Sequence, residues 1–197
     1  MKCLELSIRE LEKECRNWAK DLSELYRPDI VIYVAKGGYI IGREMSKIFG
    51  VPLIGIEAIR KGNSIKALLR PLIKYIPSKL RFFLIKLELS SNIHKKHVER
   101  NISFISDISK LKKEKIKDIL IVDDSVDTGN SMKEVIEVIE KEFIFANIKT
   151  AGLNVWDKSR EIIETDFALY RNTIIKSPMS KDSHEYDIFL ASYENGI

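Results

Sequence analysis

The sequence of 197 residues predicts an α/β fold, a doubly wound parallel sheet with helices on both faces. Short, unbroken apolar runs such as 30–35 and 119–122 are typical of strands that are buried on both faces of a parallel sheet. Segments with apolar residues at helical spacing, such as 39–49 and 132–143, follow these runs. The alternation predicts βαβ units, whose helices cover both faces of one sheet.

Each element has its own local signal. The predicted elements are, in chain order, a helix over 5–25, a strand over 30–35, a helix over 39–49, strands over 51–56 and 119–122, a helix from 132 and a strand over 148–156. Pro28 follows the first helix, and Lys-Gly-Gly at 36–38 forms a tight loop after the first strand. Gly50 suits the C-terminal cap of the second helix.

Composition limits the class of protein. Hydrophobic residues make up 45% of the chain and charged residues 31%, which predicts one globular domain over 1–197. No apolar run approaches the roughly 18 residues of a membrane-spanning helix, and the first residues lack the apolar stretch of a signal peptide. Cys3 and Cys15 fall in one predicted helical region and form neither a disulfide framework nor a zinc site, so we expect packing residues and a cytoplasmic protein.

Positive charge is concentrated in one stretch. Residues 60–118 hold 16 basic and 5 acidic side chains, a net charge of +11, whereas the whole chain carries +4. This insertion predicts an anionic partner, such as nucleic acid, a membrane surface or a small anion. Three structures remain open for it: an interfacial membrane helix, which Pro71 and Pro77 disfavour, a basic lid or dimer arm, and a helical insertion packed on the body.

The segment 119–131 is the predicted functional site. A buried strand leads into two carboxylates, Asp123 and Asp124, and a loop then opens a helix whose free N–H groups suit a phosphate. Gly129 permits close backbone approach, and neighbouring hydroxyls can donate hydrogen bonds. Paired carboxylates suit sugar hydroxyls or Mg²⁺, so the segment predicts a site for a phosphorylated sugar. The alternative is a capped helix with exposed aspartates.

The run Val122-Asp123-Asp124-Ser125-Val126-Asp127-Thr128-Gly129-Asn130-Ser131 resembles the ribose-phosphate-binding signature of the type I phosphoribosyltransferases. Its Asp127-Thr128-Gly129 part is most similar to the branch that acts on 6-oxopurines. Residues 31–50 resemble the first strand, pyrophosphate loop and helix of that family. Trp156-Asp157-Lys158 resembles the segment whose lysine contacts the exocyclic oxygen of the purine.

The resemblance implies a role for each matching residue toward phosphoribosyl pyrophosphate (PRPP) and its acceptor base. Lys36 and Gly37 would bind the pyrophosphate. Asp123 and Asp124 would bind the ribose hydroxyls and, directly or indirectly, Mg²⁺. The 5′-phosphate would be bound by Asp127, Thr128, Gly129, Asn130 and Ser131, and the base by Lys158 and Ile174. Asp127 would also be the catalytic base at N7 of the purine.

The C-terminal segment 159–197, here called the hood, departs from the family pattern. Ile174 stands where the bacterial xanthine-guanine type carries an aromatic that stacks on the purine, and Met179 stands in the place of a second tryptophan. An aliphatic side chain can cover a base but loses the stacking energy. An alternative register puts Phe167 or Tyr170 over the base.

The resemblance therefore predicts Mg²⁺-dependent transfer of phosphoribose from PRPP to a 6-oxopurine, with release of pyrophosphate. By family analogy we expect a homo-oligomer, a dimer. Two alternatives stay open. The acceptor could be a non-purine base of a specialised pathway, or the protein could be a regulator that senses PRPP or nucleotides and binds nucleic acid through its basic insertion.

Overall fold

The structure, a computed structural model, describes residues 3–60 and 100–196. The chain divides into two compact units, one formed by residues 1–58 and 102–197 and the other by residues 59–101. The predicted insertion over 60–118 falls largely outside the described residues, and so do its three interpretations. Within residues 3–60 and 100–196, no helix is long and apolar enough to cross a membrane.

Eight strands and four α-helices form the described part of the chain. They are β1 (Cys3–Glu5), α1 (Ile8–Ser23), β2 (Ile30–Ala35), α2 (Tyr39–Phe49), β3 (Leu53–Arg60), β4 (Arg100–Phe104), β5 (Asp118–Val126), α3 (Asn130–Glu142), β6 (Asn147–Val155), β7 (Phe167–Arg171), β8 (Ile174–Lys176) and α4 (Tyr186–Glu194). Short 3₁₀ helices span Lys113–Lys115 and Asp157–Glu161. The predicted bounds of β2 and α2 are confirmed, and Gly50 caps α2 with φ +70°.

Several predicted elements differ from the structure. β3 spans Leu53–Arg60 rather than 51–56, and α3 begins at Asn130 rather than at residue 132. The first helix begins only at Ile8, because Cys3–Glu5 form a strand and Ser7 caps the helix through a reciprocal capping box with Glu10. Cys3 therefore lies in β1 rather than in the helix. The predicted strand 119–122 continues to Val126, because its ladder with β6 runs on beyond the apolar residues. The two carboxylates thus lie within the strand instead of after it.

The main sheet has six strands in the order β4-β3-β2-β5-β6-β7. The pairs β2–β3, β2–β5, β5–β6 and β6–β7 are all parallel. From β2 the chain moves outward to β3 on one side, and from β5 it moves outward to β6 and β7 on the other. The C-terminal ends of β2 and β5 therefore flank a topological switch point, where open α/β sheets bind ligands.

Alternate residues of β2 enter two different cores. Val31 and Tyr33 pack with buried residues of α1 and α2 on one face of the sheet. Ile32 and Val34 pack with buried residues of α3 on the other face. Period-two alternation into two apolar layers is what a doubly wound sheet requires. The predicted fold class is confirmed.

A buried carboxylate joins α1 to α2. The side chain of Glu44 is only 2% exposed, and it accepts hydrogen bonds from Arg16 of α1 at 2.8 Å and from Arg43 and Lys47 of its own helix at 3.0 and 3.1 Å. Burial alone would raise the pKa of Glu44, but the hydrogen bonds from these three cations outweigh it and lower the pKa. The pairing fixes α2, whose N-terminus follows the loop at the end of β2.

A second, two-stranded sheet ties the N-terminal residues to the hood. β1 pairs in parallel with β8, with Cys3 opposite Ile174 and Glu5 opposite Lys176. The backbone N–H of Leu6 continues the ladder by donating to the carbonyl of Lys176 at 3.0 Å. The pairing holds β8 in place beside the C-terminal edge of the main sheet.

Candidate active site

The C-terminal end of β5 carries two adjacent carboxylates. Asp123 is 8% exposed and accepts a hydrogen bond at 2.8 Å from the backbone N–H of Asp124, whose side chain is half-buried. Burial, followed by the charge of Asp124, raises the pKa of Asp123 well above its usual range. Burial also raises the pKa of Asp124, against hydrogen bonds that lower it. Such a pair favours a ligand that brings hydroxyl donors or positive charge.

The loop after β2 lies directly against these carboxylates. Residues 36–38 form a turn in which the N–H of Gly38 donates to the carbonyl of Val34 at 2.8 Å. The peptide bond between Ala35 and Lys36 is cis. A Cβ atom at Gly37 would lie 2.6 Å from Oδ2 of Asp124 and nearer still to its Cγ and Oδ1. The structure therefore brings the predicted pyrophosphate loop into contact with the predicted ribose site.

The loop 127–131 leads from β5 into α3. Gly129 is the N-cap residue with φ +80°, and a Cβ atom there would lie 2.5 Å from Cγ2 of Ile163. The amide of Asn130 donates to Oγ1 of Thr128 at 3.0 Å, which leaves the Thr128 hydroxyl proton able to donate elsewhere. The first N–H groups of α3 have no partner within the helix. Thr128, Gly129, Asn130 and Ser131 thus surround a helix N-terminus suited to an anion.

Asp127 is exposed at the start of this loop. Its Oδ1 accepts a hydrogen bond from the hydroxyl of Ser125 at 2.5 Å, which orients the carboxylate. Ser125 was not among the predicted site residues. The sequence spacing could have indicated it: Ser125 and Asp127 lie two residues apart near the end of an extended segment, where side chains at that spacing point to the same face.

A cavity of ≈ 270 Å³ opens beside Asp124 and Asp127. Its other walls come from β6, from the residue after it and from the hood, and they include Leu153, Trp156, Ile174, Ile175, Ser177 and Ser180. The predicted base-binding residue Ile174 therefore lies beside the carboxylates. Trp156 was singled out in the sequence only as a neighbour of Lys158, yet it supplies an aromatic wall.

Other residues considered for base binding lie elsewhere. Lys158 is exposed on the 3₁₀ helix Asp157–Glu161 and is not among the described residues that line the cavity. Phe167 and Tyr170, the alternative aromatics, pack against the core beside α1 and α2, and Met179 is buried in that same core. Neither aromatic ring is therefore among the described residues that line this cavity.

Two asparagines join the hood to the strand end. Asn154 of β6 is buried and pairs with the backbone of Thr173, donating to its carbonyl at 2.8 Å and accepting from its N–H at 3.2 Å. Asn172, which adopts φ +49°, pairs in the same way with Asp157, accepting from its N–H at 3.0 Å and donating to its carboxylate at 2.6 Å. These pairs fix the segment that carries Ile174 relative to β6.

Residues 6–171 match the model of a protein family described as the phosphoribosyl transferase domain. The chain belongs to this family. The resemblance seen in the sequence is confirmed, and the chain is a phosphoribosyltransferase enzyme. A search of the curated proteins finds no match.

Solved structures share the fold of this phosphoribosyltransferase. A purine phosphoribosyltransferase from Pyrococcus horikoshii is 24% identical with a TM-score of 0.61, and the alignment covers 93% of this chain and 97% of that one. A xanthine-guanine-hypoxanthine phosphoribosyltransferase from Helicobacter pylori is 18% identical, with coverages of 91% and 95% and a TM-score of 0.60. A hypothetical protein from Neisseria gonorrhoeae with bound ppGpp is 14% identical, with coverages of 100% and 98% and a TM-score of 0.58.

The carboxylate pair fits Mg²⁺ in the way that this ion binds with phosphorylated substrates. Among the described residues, no group of three or more His, Cys, Asp or Glu side chains could hold a metal ion. Mg²⁺ needs no such group, because it commonly takes one or two carboxylates and completes its octahedron with water and substrate phosphate oxygens. Asp123 and Asp124 supply hard oxygen donors beside the pyrophosphate loop.

Proposed function

We propose that this phosphoribosyltransferase transfers phosphoribose from PRPP to a 6-oxopurine and releases pyrophosphate. One observation carries the proposal: the loop at Gly37, the carboxylate of Asp124 and the base-sized cavity meet at the switch point between β2 and β5. The N-terminus of α3 lies next along the chain, so each part of PRPP has a complementary surface.

The proposed roles follow from charge and geometry. Asp123 and Asp124 accept hydrogen bonds from the ribose 2′- and 3′-hydroxyls, while residues 128–131 bind the 5′-phosphate with backbone N–H groups and hydroxyls. Lys36 and the backbone N–H of Gly37 bind the pyrophosphate, which leaves with the electrons of its bond to C1′. Mg²⁺, bound with PRPP, would neutralise charge on that leaving group. Its participation is part of the proposal.

Asp127 is proposed to accept the acceptor's proton. One ring nitrogen of the base forms the new bond to C1′. The purine's N7 gives up its proton to the Asp127 carboxylate, which Ser125 orients. The carboxylate also faces the positive charge that develops on the ribose as the old bond breaks. No covalent intermediate with the enzyme is needed. The buried thiol of Cys15 supports this, because burial raises its pKa to about 12 and disfavours the reactive thiolate.

The cavity supports a flat, small heterocycle as the acceptor. Its volume of ≈ 270 Å³ lies near the lower end of ligand pockets, which span about 300–1,000 Å³. Trp156 and Ile174 offer apolar surface, while the Ser177 and Ser180 hydroxyls, 3.2 Å apart, offer polar contacts. The preference for a 6-oxo group rests on two resemblances in the sequence, that of Asp127-Thr128-Gly129 to the 6-oxopurine branch and that of Trp156-Asp157-Lys158 to the purine-contacting segment, and not on the lining of the cavity, which does not include Lys158.

The proposal is tested by pyrophosphate release from PRPP and Mg²⁺ with guanine, xanthine, hypoxanthine and adenine in turn. We expect release with at least one 6-oxopurine, and its loss in Asp127→Ala with no change in thermal stability. Asp21→Ala removes an exposed aspartate of α1 and serves as the matched control. Release with adenine alone would contradict the 6-oxopurine preference.

Silence with all four bases would redirect the proposal. If PRPP still binds, a panel of non-purine heterocycles tests for another acceptor. If that panel is also silent and the protein binds mixed RNA or DNA in a salt-dependent manner, regulation through nucleic-acid binding becomes the role proposed for this member of the family. We also propose a homodimer, which sedimentation of the full chain tests directly. Cytoplasmic location stays a prediction.

A further inference from the structure

The ammonium group of Lys36 lies over an aromatic ring that no part of the proposed reaction uses. Its Nζ is 5.1 Å from the ring centroid of Tyr193 on α4, whereas Lys36 itself is exposed. A cation within about 6 Å of a ring centroid is attracted by the negative face of the ring. The long lysine side chain therefore has a preferred position before any ligand arrives.

The Tyr193 ring is itself held by residues on both sides of the Lys36 loop. It is 4% exposed and packs edge-on against Tyr39, the first residue of α2, with centroids 5.1 Å apart. It packs edge-on against Tyr33 of β2 as well, at 6.4 Å. One of these neighbours precedes the loop and the other follows it, so the ring is packed against residues at both ends of the loop.

We propose that Tyr193 is a positioning residue that orders Lys36 for pyrophosphate binding. The inference rests on the proposed function, since it takes Lys36 to bind the pyrophosphate of PRPP. A flexible lysine loses rotamer freedom when it binds a phosphate, and a ring that restricts the side chain beforehand reduces this loss. Tyr193 thus acts on PRPP affinity through Lys36, and it does not act on the acceptor.

The test compares Tyr193→Leu, which removes the ring, with Tyr193→Phe, which keeps it. We expect Tyr193→Leu to raise the KM for PRPP and the Kd for pyrophosphate by roughly 3–10-fold, with an unchanged KM for the base. Tyr193→Phe should restore most of the affinity. Tyr186→Leu is the control for damage to α4, because Tyr186 is on the same helix and, like Tyr193, contacts Phe189, whereas the cation–π contact of Lys36 is with Tyr193. It should leave both constants near those of the wild type.

A double-mutant cycle with Lys36→Ala identifies the route of the effect. If Tyr193 acts through Lys36, then adding Tyr193→Leu to Lys36→Ala should change the Kd for pyrophosphate less than twofold. An equal loss in both backgrounds, an equal rise in the KM for the base, or tighter PRPP binding in Tyr193→Leu would overturn the proposal.

Calorimetry with pyrophosphate measures binding without turnover, so it separates this inference from the proposed reaction. If no acceptor reacts but the cycle shows coupling, the proposed reaction fails and this inference stands, whereas absent pyrophosphate binding overturns the inference.

Discussion

Gly37 and Asp124 touch across the switch point of the sheet, and no side chain fits between them. A Cβ atom at Gly37 would lie 2.6 Å from Oδ2 of Asp124 and closer to its Cγ and Oδ1. The φ angle of Gly37 lies outside the left-handed region, so the requirement for glycine here is steric. The loop from β2 and the carboxylate of β5 therefore form one site.

Gly37→Ala should disable this site with little harm to the fold. The added methyl group must displace either the loop or the Asp124 carboxylate, and a misplacement of about 1 Å in a catalytic site can cost on the order of 100-fold in rate. We expect kcat/KM for PRPP to fall by roughly that factor, measured from initial rates over a range of PRPP concentrations.

The control for Gly37→Ala is Gly50→Ala, where a Cβ atom has space but the backbone angle disfavours alanine. A Cβ atom at Gly50 meets nothing within 4 Å, but its φ of +70° is left-handed. That substitution should cost about 1–2 kcal/mol of stability and leave kcat/KM for PRPP unchanged. Equal kinetic effects of both alanines would argue that general destabilisation, and not contact with Asp124, explains the loss.

Asp123→Asn should make the ligand-free protein more stable and the PRPP site weaker. The Asp123 carboxylate is 8% exposed and adjoins a second carboxylate, so its charge is unfavourable in the folded state. We expect a gain of about 1 kcal/mol in the free energy of urea unfolding without ligand. Saturating PRPP and Mg²⁺ should reverse the order, because tighter binding stabilises the wild type more. A variant that PRPP stabilises as much as the wild type would place the ribose elsewhere.

Asn154→Asp should impair use of the base without affecting PRPP. An aspartate can still accept from the N–H of Thr173, but it cannot donate to the Thr173 carbonyl, and its charge would be buried. We expect the segment carrying Ile174 to shift and the KM for the base to rise about tenfold, while the KM for PRPP stays constant.

The matched control is Asn147→Asp at the other end of β6, where the asparagine is exposed. It should change neither KM. If Asn154→Asp raises both constants equally, then Asn154 supports the sheet edge in general and does not position the acceptor side.

Local sequence patterns account for the part of the site that was predicted. The apolar run at 119–122 and Gly129 determine only the local backbone, so the buried part of β5 could be predicted from the sequence and the start of α3 to within two residues. The end of β5 could not be predicted, because it depends on pairing with β6. The contact between Gly37 and Asp124 could be anticipated only through the family resemblance, because it joins residues that lie far apart in the chain.

Features that depend on long-range pairing were missed. β1 and β8 are three residues each and have no periodicity to detect, and they become strands only by pairing with each other. Trp156 gave no sign that it faces the cavity, and Tyr193 gave none that it lies under Lys36. In each case the contacting residue lies far away in the sequence, and local sequence patterns carry no information about such a contact.

Glu44→Gln should destabilise the protein in a pH-dependent way. The lowered pKa of the buried Glu44 carboxylate means that its ion pairs contribute stability above the ordinary glutamate pKa of 4.5, and that this contribution is lost as the pH falls through the lower, folded-state pKa. Because the three cations are partly exposed, we expect a deficit of about 2 kcal/mol at neutral pH, less than for a fully buried pair.

Urea unfolding of wild type and Glu44→Gln between about pH 7 and pH 3.5 measures this deficit. It should stay constant down to about pH 5 and then shrink, because the wild-type carboxylate becomes protonated and loses its ion pairs while the glutamine has none to lose. Other acidic groups, such as Asp166, titrate alike in both proteins and cancel in the comparison. Glu24→Gln, at an exposed position after α1, should show no deficit at any pH. A deficit that persists undiminished at the lowest pH would mean that Glu44 joins the helices by packing and not by charge.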